Sequence, residues 1–340
     1  MITKIGLDLG YANITISNVS GDIYRESSVA IVEKATRKTL CVGNEATSAQ
    51  TNENAMLIRP FKNGLLYSST LTRDVIKHEI NSIKAKDKIR CIIALPSNFI
   101  PKQEAEMFSM LTDAGVSECF SVNPAFAALV GAGYSPSTSA VSVNFGASHT
   151  EIAVIHKGEL LLTARDEIGG EDFDKAVKQY IYDQGGMTVS LMVAKAIKER
   201  LGAVWQGKPS ESIQIEGILS LTGNKVGMTL TNEDVVGVFE SPLQRFLSLV
   251  ANTVAKIPGN IASEVLKNGI ILTGGASDIY GLDTMMERVF EIPVSKPMQP
   301  IDSVAKGLAR INTFVPVKYK DMRNITSQIS KLYEAKIQSK

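Results

Sequence analysis

Two stretches decide the fold, Ile5-Gly6-Leu7-Asp8-Leu9-Gly10 and Val141-Ser142-Val143-Asn144-Phe145-Gly146-Ala147-Ser148-His149-Thr150. In each stretch a run of apolar residues ends at a glycine turn, and a second apolar run follows. This pattern predicts a β-hairpin in both places, with strands at 5–9 and 14–16 in the first and at 141–143 and 151–155 in the second. The two halves of the chain therefore start alike.

The residues around these hairpins alternate between strand and helix patterns. After the first hairpin, an apolar run at 91–95 precedes a helical pattern at 102–115, a strand at 120–122 and a helix at 124–133. After the second hairpin we predict helices at 170–182 and 189–201 and strands at 213–221, 225–230 and 270–272. Such alternation predicts an α/β fold, with sheets covered by helices.

Composition limits the possible functions. The chain has 340 residues, which favours two lobes, and its net charge of +1 gives no reason to expect direct binding to nucleic acid. The three cysteines have no metal-ligand spacing and we interpret them as core residues. The first strand starts directly after Lys4 and no apolar run approaches the roughly 20 residues of a membrane span, so we expect a cytoplasmic protein without a signal peptide.

The glycine turns favour a nucleotide site. A nucleoside triphosphate with Mg²⁺ needs backbone N–H groups, close backbone approach and a nearby carboxylate. Asp8-Leu9-Gly10 and Gly146-Ala147-Ser148 offer these from opposite halves of the chain. One such turn is weak evidence, because most hairpin glycines serve only turn geometry, but two more glycine turns follow at 169–170 and 274–275.

These motifs resemble those of the actin, DnaK-type chaperone and sugar kinase superfamily. The stretch at 5–10 is similar to its first phosphate loop, 144–150 to its second, and Leu272-Thr273-Gly274-Gly275-Ala276-Ser277 to its adenosine motif. Bacterial actins of the MreB type also have counterparts of the segments at 58–64, 94–97, 168–176 and 291–294. The resemblance covers about residues 2–312, which leaves no room for the substrate domain of a chaperone or sugar kinase.

The resemblance implies an actin-like ATPase fold with two lobes, each built on a ribonuclease H-like mixed sheet with helices on its faces. ATP or ADP with Mg²⁺ would bind in the cleft between them. We expect a first lobe at 1–145 with an outer subdomain at about 32–70, and a second lobe at 146–313 with an outer subdomain at about 181–242. Residues 314–340 form a basic tail, which is either a helix docked on the body or a partner-binding helix.

The resemblance also implies which residues form the site. The catalytic positions are Asp8, Asn123, Asn144 and His149, of which Asp8 and Asn144 would meet the metal through water. The expected nucleotide contacts are Gly10, Tyr11, Ala12, Asn13, Gly146, Ala147, Ser148, Gly169, Gly170, Glu171, Lys195, Lys198, Glu199, Gly274, Gly275 and Ala276. From the residues alone, Lys198 and Glu199 favour a solvated helix face, and the resemblance makes a nucleotide contact an equal alternative.

Two amides depart from the family pattern. Asn144 stands where the second loop has Asp, and Asn123 lies where many members have the Glu that orients the attacking water. These amides predict slow hydrolysis, although Asn123 is equally suited to capping the helix that starts at Pro124, and Asn144 to satisfying turn backbone. His149 replaces a usual Thr and is either a water-positioning group or an ordinary polar residue.

The resemblance implies a head-to-tail filament of identical subunits. The segment Lys84-Ala85-Lys86-Asp87-Lys88 stands where MreB-type proteins often insert an apolar loop into the bilayer, so we expect no direct membrane insertion. This favours filaments that position an organelle or plasmid, as the MamK and ParM types do, through a possible cargo adaptor. The alternatives are an MreB-type cell-shape protein, a non-polymerising ATPase or regulator, and a subunit that copolymerises with a paralogous actin.

Overall fold

The computed structural model describes residues 2–49, 53–62, 65–66, 68–316, 319 and 324–339. Its strands are β1 (Ile2–Leu9), β2 (Asn13–Asn18), β3 (Ile23–Ser27), β4 (Ala30–Glu33), β5 (Thr39–Val42), β6 (Ala55–Ile58), β7 (Phe61–Lys62), β8 (Leu65–Leu66), β9 (Lys88–Ala94), β10 (Val116–Val122), β11 (Ala140–Phe145), β12 (Thr150–His156), β13 (Glu159–Asp166), β14 (Met187–Thr188), β15 (Ser212–Leu219), β16 (Lys225–Thr231), β17 (Ile270–Thr273) and β18 (Val294–Ser295).

The helices are α1 (Gly43–Ser48), α2 (Ser69–Ser82), α3 (Pro101–Asp113), α4 (Pro124–Gly131), α5 (Gly170–Gly185), α6 (Leu191–Leu201), α7 (Asn232–Val236), α8 (Glu240–Val254), α9 (Gly259–Lys267), α10 (Leu282–Phe290), α11 (Ser303–Asn312) and α12 (Ile329–Gln338). Short 3₁₀ turns occupy Gly237–Phe239, Gly275–Asp278, Pro300–Asp302 and Thr326–Gln328. Both predicted hairpins are confirmed, as are the strand and helix patterns around them. No helix in the described ranges is both long and apolar enough to cross a bilayer.

Two five-stranded mixed sheets have the same topology. The first has the order β10-β9-β1-β2-β3 and the second the order β13-β12-β11-β17-β18. In the first sheet, β1, β2 and β3 are antiparallel neighbours, and β9 and β10 continue the sheet in parallel on the other side of β1. In the second sheet, β11, β12 and β13 are antiparallel neighbours, and β17 and β18 continue it in parallel on the other side of β11. The α/β, two-lobed fold with a mixed sheet in each lobe is thereby confirmed.

The central strands β1 and β11 carry the two diagnostic stretches. The apolar side chains in the middle of these strands are completely or almost completely buried, as shown by Ile5, Leu7, Val141 and Val143. A central strand that is covered on both faces reads as a nearly continuous apolar run, which is why these strands were visible in the sequence. Asp8 and Asn144 are each the second-last residue of their strand. The two residues therefore occupy equivalent positions in the two sheets.

Helices α4 and α11 cross between the sheets. Helix α4 contacts β11 and β12 of the second sheet, whereas α11 packs on β1, β2 and β9 of the first. The two helices touch each other closely because both have glycine at the crossing: a Cβ at Gly131 would lie 1.7 Å from the Ser303 carbonyl oxygen, and one at Gly307 would lie 1.8 Å from that of Ala127. The lobes are therefore joined by a tight helix pair.

Smaller sheets lie outside the two main ones. The strands β4, β5 and β6 form one, and β14, β15 and β16 form another. The lobe and subdomain ranges given above stay predictions, and the residues Asn63 and Gly64 of the MreB-like segment at 58–64 lie outside the described residues.

The end of the chain docks on the body. Ile325 and Ile329 are fully buried, and Tyr333 of α12 packs edge-on against Phe314 at a centroid distance of 5.1 Å. Helix α12 thus packs on the body, while Lys318, Lys320, Asp321, Arg323 and Lys340 of the predicted basic tail lie outside the described residues. Of the cysteines, Cys91 is a core residue as expected, whereas Cys41 and Cys119 are only partly buried.

Candidate nucleotide site

The first loop is the turn between β1 and β2. Gly10 begins this turn, and its backbone lies against the carbonyl of Asn13. A side chain would not fit there, because a Cβ at Gly10 would lie 2.7 Å from that oxygen. Tyr11 and Ala12 form the turn, and Asn13 starts β2. Asp8 lies just before the turn in a row with Thr15 and Arg25 of the neighbouring strands. Burial raises the pKa of Asp8 to about 6, and the Arg25 guanidinium opposes this shift.

The second loop is the turn between β11 and β12. The Gly146 N–H donates to the His149 carbonyl at 3.0 Å, which closes a tight turn through Ala147 and Ser148. The Ser148 hydroxyl and His149 Nδ1 lie 3.3 Å apart. Burial lowers the pKa of His149 to about 3 and the nearby Arg165 acts in the same direction, so the imidazole is neutral at pH 7.

The start of helix α5 lies on the second loop. The Gly170 N–H donates to the Gly146 carbonyl at 3.0 Å, and the Glu171 N–H donates to the Ala147 carbonyl at 2.8 Å. Gly169 allows this approach, because a Cβ there would lie 2.5 Å from the Ala147 carbonyl oxygen. The N-terminal end of a helix favours an anion. The structure therefore holds the start of α5 against the second glycine turn.

The adenosine-like segment joins the same group. Gly274 has a φ of 86° and a Cβ on it would lie 2.3 Å from the Phe145 carbonyl oxygen and 2.8 Å from Asn144 Oδ1. Ala276 lies beside Gly170, since a Cβ on Gly170 would be 3.2 Å from that of Ala276. Gly275 packs against Ile301. Three separate parts of the second lobe thus meet around the end of β11.

The predicted basic contacts have partners within the protein. Lys198 is buried, and its ammonium donates to the Gly170 carbonyl at 2.9 Å and pairs with Asp174 at 2.7 Å. This places Lys198 beside the glycines at 169–170 and fixes the start of α5. Lys195 and Glu199 are exposed and pair with each other at 3.7 Å one turn apart. They share one face of α6 and pair with each other there.

One pair of residues approaches across the lobes. The Glu171 carboxylate of α5 lies near the Tyr11 hydroxyl of the first loop and acts on its ionisation. Arg59 supports this tyrosine, because its guanidinium lies 4.7 Å from the ring centroid and donates to the Tyr11 carbonyl at 2.9 Å. Burial and the nearby Glu171 carboxylate raise the pKa of Tyr11 to about 12, so the hydroxyl keeps its proton.

Asn123 performs the capping role that the sequence left open. Its side-chain oxygen accepts from the Phe126 N–H at 3.0 Å, which caps α4, and its backbone N–H donates to the Thr326 hydroxyl at 3.0 Å. The side-chain amide donates to Glu151 Oε1 at 3.3 Å. Both ends of the amide are therefore occupied. This geometry leaves the water-positioning role of Asn123 a prediction.

Glu151 is a site residue that the sequence analysis missed. Its carboxylate is fully buried, and Oε1 also accepts from the Ser97 N–H at 2.9 Å, while Arg165 Nε lies 3.5 Å from Oε2. Burial raises the pKa of Glu151 against the opposing effect of Ser97 and Arg165. The sequence did offer one indication of this role, because Glu151 is a charged residue in the otherwise apolar strand at 150–155. Glu151 joins the second lobe to two turns of the first.

Asn144 faces the same region without a carboxylate. It lies opposite Glu151 on β12 and beside Thr273 on β17. Its side-chain oxygen lies near Gly274, since a Cβ on Gly274 would be 2.8 Å from Asn144 Oδ1. Asn144 is therefore a polar group at the junction of these strands. An amide carries no charge that would offset Mg²⁺, so Asp8 is the acidic group that the two central strands bring to this end of the sheets.

The chain was compared with known proteins. A family model described as MreB/Mbl protein matches residues 2–318. The cell shape-determining protein Mbl of Bacillus cereus is 28% identical over 312 residues, which are 89% of this chain and 93% of that protein. The cell shape-determining protein MreB of Escherichia coli K12 is 26% identical over 317 residues, with 89% and 91% covered.

Solved structures show the same fold. The crystal structure of MreB5 of Spiroplasma citri bound to ADP has a TM-score of 0.85 at 20% identity, and the match covers 90% of this chain and 95% of that one. The MamK double helical filament has a TM-score of 0.79 at 20% identity, with 93% and 100% covered. At this identity the likeness establishes the fold alone.

Proposed function

Because the chain belongs to the MreB/Mbl protein family, we propose that it binds ATP and ADP between its lobes and assembles with copies of itself into cytoplasmic filaments. The observation that carries the proposal is the meeting of Gly146, Gly170 and Gly274 around the end of β11. These close backbone approaches create a surface without side chains around the end of β11, where a phosphate group can come close to the backbone. ADP and AMPPNP in related crystal structures support this use of the cleft.

The residues also fit a hydrated Mg²⁺ ion. Burial raises the pKa of Asp8 to about 6, which means that the protein only partly stabilises the ionised carboxylate. A divalent cation nearby would favour the ionised form. Asp8 would hold Mg²⁺ through water, and Asn144 would contribute at most a neutral oxygen. The ion would supply charge neutralisation for the phosphates.

We expect hydrolysis to be slow. The amide of Asn123 already caps α4 and donates to Glu151, so this side chain has no proton-accepting group to offer water. His149 has a pKa of about 3, which makes its neutral ring a weak base, although it can still orient a water molecule. Loss of a positioned base costs about 10²–10⁴ in rate.

Assembly would use different surfaces at the two ends of each subunit. Such heterologous contacts extend without closing, and the fold is shared with the MamK double helical filament. The partner is therefore a second copy of this chain. A cargo adaptor and a paralogous actin subunit are further partners compatible with the proposal, and the slow turnover of one subunit would suit copolymerisation.

Two cellular roles are compatible with such a filament. Exposed lysines at 84, 86 and 88 surround the connection between α2 and β9, which opposes insertion into a bilayer and favours a filament that positions cargo. The names of the Bacillus and Escherichia relatives favour the second candidate, a role in cell shape. Co-sedimentation with anionic liposomes separates them, since strong binding would support the cell-shape role.

Nucleotide binding and phosphate release test the proposal together. Wild-type protein should bind a fluorescent ATP analogue, and purified filaments should release phosphate more slowly than those of the Asn144→Asp variant, whose added carboxylate restores the family pattern. An unchanged turnover and Mg²⁺ dependence in Asn144→Asp would contradict the place of Asn144 near the metal. A lack of ATP binding would contradict the proposal itself.

A further inference from the structure

A second cluster of ligand groups lies in the first lobe, away from the nucleotide turns. It consists of Glu26 on the edge strand β3 and of His78 and Glu79 on helix α2. One nitrogen or oxygen atom from each of the three side chains lies within 4.8 Å of the others. His78 Nε2 and Glu26 Oε2 are already 3.5 Å apart. The cluster therefore joins an edge strand to the helix packed beside it.

Glu79 is the unusual member of this cluster. It has no solvent exposure, and neither carboxylate oxygen has a hydrogen-bond partner within the part of the chain that the structure describes. A buried carboxylate without a donor is costly. Its neighbour Glu26 is also a carboxylate, 8% exposed, so the two groups add to each other's electrostatic cost. Glu79 is therefore a fully buried ligand group without a hydrogen-bond donor among the described residues.

Glu26 is held with one oxygen toward the cluster. The Tyr24 hydroxyl donates to Oε1, which leaves Oε2 beside His78. Gly43, at the start of α1, makes the space for this carboxylate, because a Cβ there would lie 1.6 Å from Oε2. Gly43 also has a φ of 67°, which glycine tolerates best. A second residue that orients a carboxylate ligand is typical of built metal sites.

We propose that Glu26, His78 and Glu79 bind one divalent transition-metal cation of the Zn²⁺ class. An imidazole nitrogen with two carboxylate oxygens is a ligand set that suits Zn²⁺ and disfavours Mg²⁺ and Ca²⁺, which take oxygen ligands. Tetrahedral bonds of about 2.0–2.1 Å require ligand atoms about 3.4 Å apart. The pair of His78 and Glu26 already has this spacing, and rotation of the third side chain supplies the rest.

The position of the cluster indicates what the ion does. It would tie β3, at the edge of the first sheet, to α2, which otherwise packs on α3 and β5. His78 is 39% exposed at its side chain, so the ion reaches the site from solvent and keeps an open coordination position. The binding energy would stabilise the first lobe, since metal binding to the folded state alone adds to folding.

Calorimetric titration of the ADP·Mg²⁺-bound full chain with Zn²⁺ tests this inference. We expect one Zn²⁺ per chain at micromolar affinity or tighter, with at least a tenfold loss in both His78→Ala and Glu79→Gln. Glu79→Gln keeps the volume of the buried side chain, so it separates a lost ligand from a lost fold. The matched control is His156→Ala, which removes a histidine paired with the single carboxylate of Glu264 at 3.1 Å and should leave Zn²⁺ binding unchanged.

Three results would overturn the inference. These are the absence of stoichiometric Zn²⁺ binding to the wild type, wild-type affinity in both cluster variants, and a Co²⁺ spectrum with a thiolate charge-transfer band, which would assign the ion to a cysteine. A rise in the Tm of the wild type with Zn²⁺ that disappears in Glu79→Gln would support it. Nucleotide binding is measured in parallel, so that failure here is distinguished from loss of the cleft.

Discussion

The side-chain amide of Asn123 donates to the buried carboxylate of Glu151, with 3.3 Å between Nδ2 and Oε1. The same Glu151 oxygen accepts from the backbone N–H of Ser97. Glu151 belongs to β12 of the second sheet, whereas Ser97 and Asn123 follow strands of the first. Asn123 is thus a link between the lobes as well as a helix cap. An amide can perform both tasks because it both donates and accepts.

The Asn123→Asp variant should lose the link and keep the cap. Aspartate still accepts from the Phe126 N–H, but it places a second carboxylate beside Glu151. Two close carboxylates cannot both ionise cheaply, so the pair should hold a proton at a raised pKa. The folded state then binds more protons than the unfolded state, and stability falls as the pH rises above about 4.

Urea unfolding at pH 5 and pH 8 measures this effect. We expect Asn123→Asp to cost about 1–3 kcal/mol at pH 8 and less at pH 5. The control is Asn44→Asp, in which an exposed side-chain oxygen accepts from the Ser27 N–H, and its effect should stay below about 0.5 kcal/mol. A cost that is equal at both pH values would contradict the coupling to Glu151.

His149 should contribute to loss of stability in acid. Its pKa is lowered to about 3 in the folded protein from an ordinary value of 6.5, so the unfolded state binds the proton first. Stability is complete above about pH 6.5 and is lost as the pH falls toward about 3. His149→Gln should remove this pH dependence. Relative to wild type, its free energy of unfolding should rise by about 1–3 kcal/mol as the pH falls from 7 to 4. The range is modest because the His149 side chain is partly exposed.

Chemical unfolding across this pH range tests the assignment. His156→Gln is the control, since His156 lies at the surface beside Glu264 and should not produce the same gain. Equal behaviour of the two variants would mean that the environment of His149 is not the cause.

Gly274→Ala should damage the nucleotide site. Gly274 has positive φ, and an added Cβ would meet the Phe145 backbone at 2.3 Å, so the adenosine-like segment must move away from the end of β11. We expect a destabilisation of about 1–3 kcal/mol and at least a tenfold loss of ATP affinity. Fluorescent nucleotide titration gives the affinity.

The comparison for this change is Gly237→Ala. No atom lies within 4 Å of a Cβ at Gly237, and its φ is −68°, so alanine should be tolerated there. Wild-type ATP affinity in Gly274→Ala would be incompatible with a nucleotide site at this junction.

The docked tail should matter for the Asn123 turn. Thr326→Val replaces the hydroxyl that accepts from the Asn123 N–H by a methyl group of similar size, which leaves a buried donor unpaired. This should cost about 1–3 kcal/mol in a thermal or urea unfolding experiment. Thr313→Val removes a hydroxyl that donates to an exposed carbonyl of Arg310 and should cost less. Equal costs would argue against a special role of the tail contact.

The sequence was sufficient for the fold because its evidence is local. The strands that carry Asp8 and Asn144 are short apolar runs closed by glycine turns, and their burial in the sheet centre explains those runs. The capping role of Asn123 was also visible, since asparagine before proline is a common helix start. The glycine turns at 146, 169–170 and 274 were recognised from their order in the chain, and the structure brings them together.

Contacts between distant positions were not predictable from local patterns. Glu151 reads as one polar residue in an apolar strand, and its partners Ser97 and Asn123 lie in another lobe. The approach of Glu171 to Tyr11 depends on how the lobes face each other. Glu26 and Glu79 are 53 positions apart, so only the packing of α2 on the first lobe brings their carboxylates together.

We propose that ATP drives this chain into filaments. The decisive experiment is negative-stain electron microscopy of the purified protein with ATP and Mg²⁺, beside a sample without nucleotide. We predict filaments with ATP and Mg²⁺, few or none without nucleotide, and few with the Gly274→Ala variant. A wild-type protein that binds ATP but remains unassembled at every concentration tested would contradict the claim.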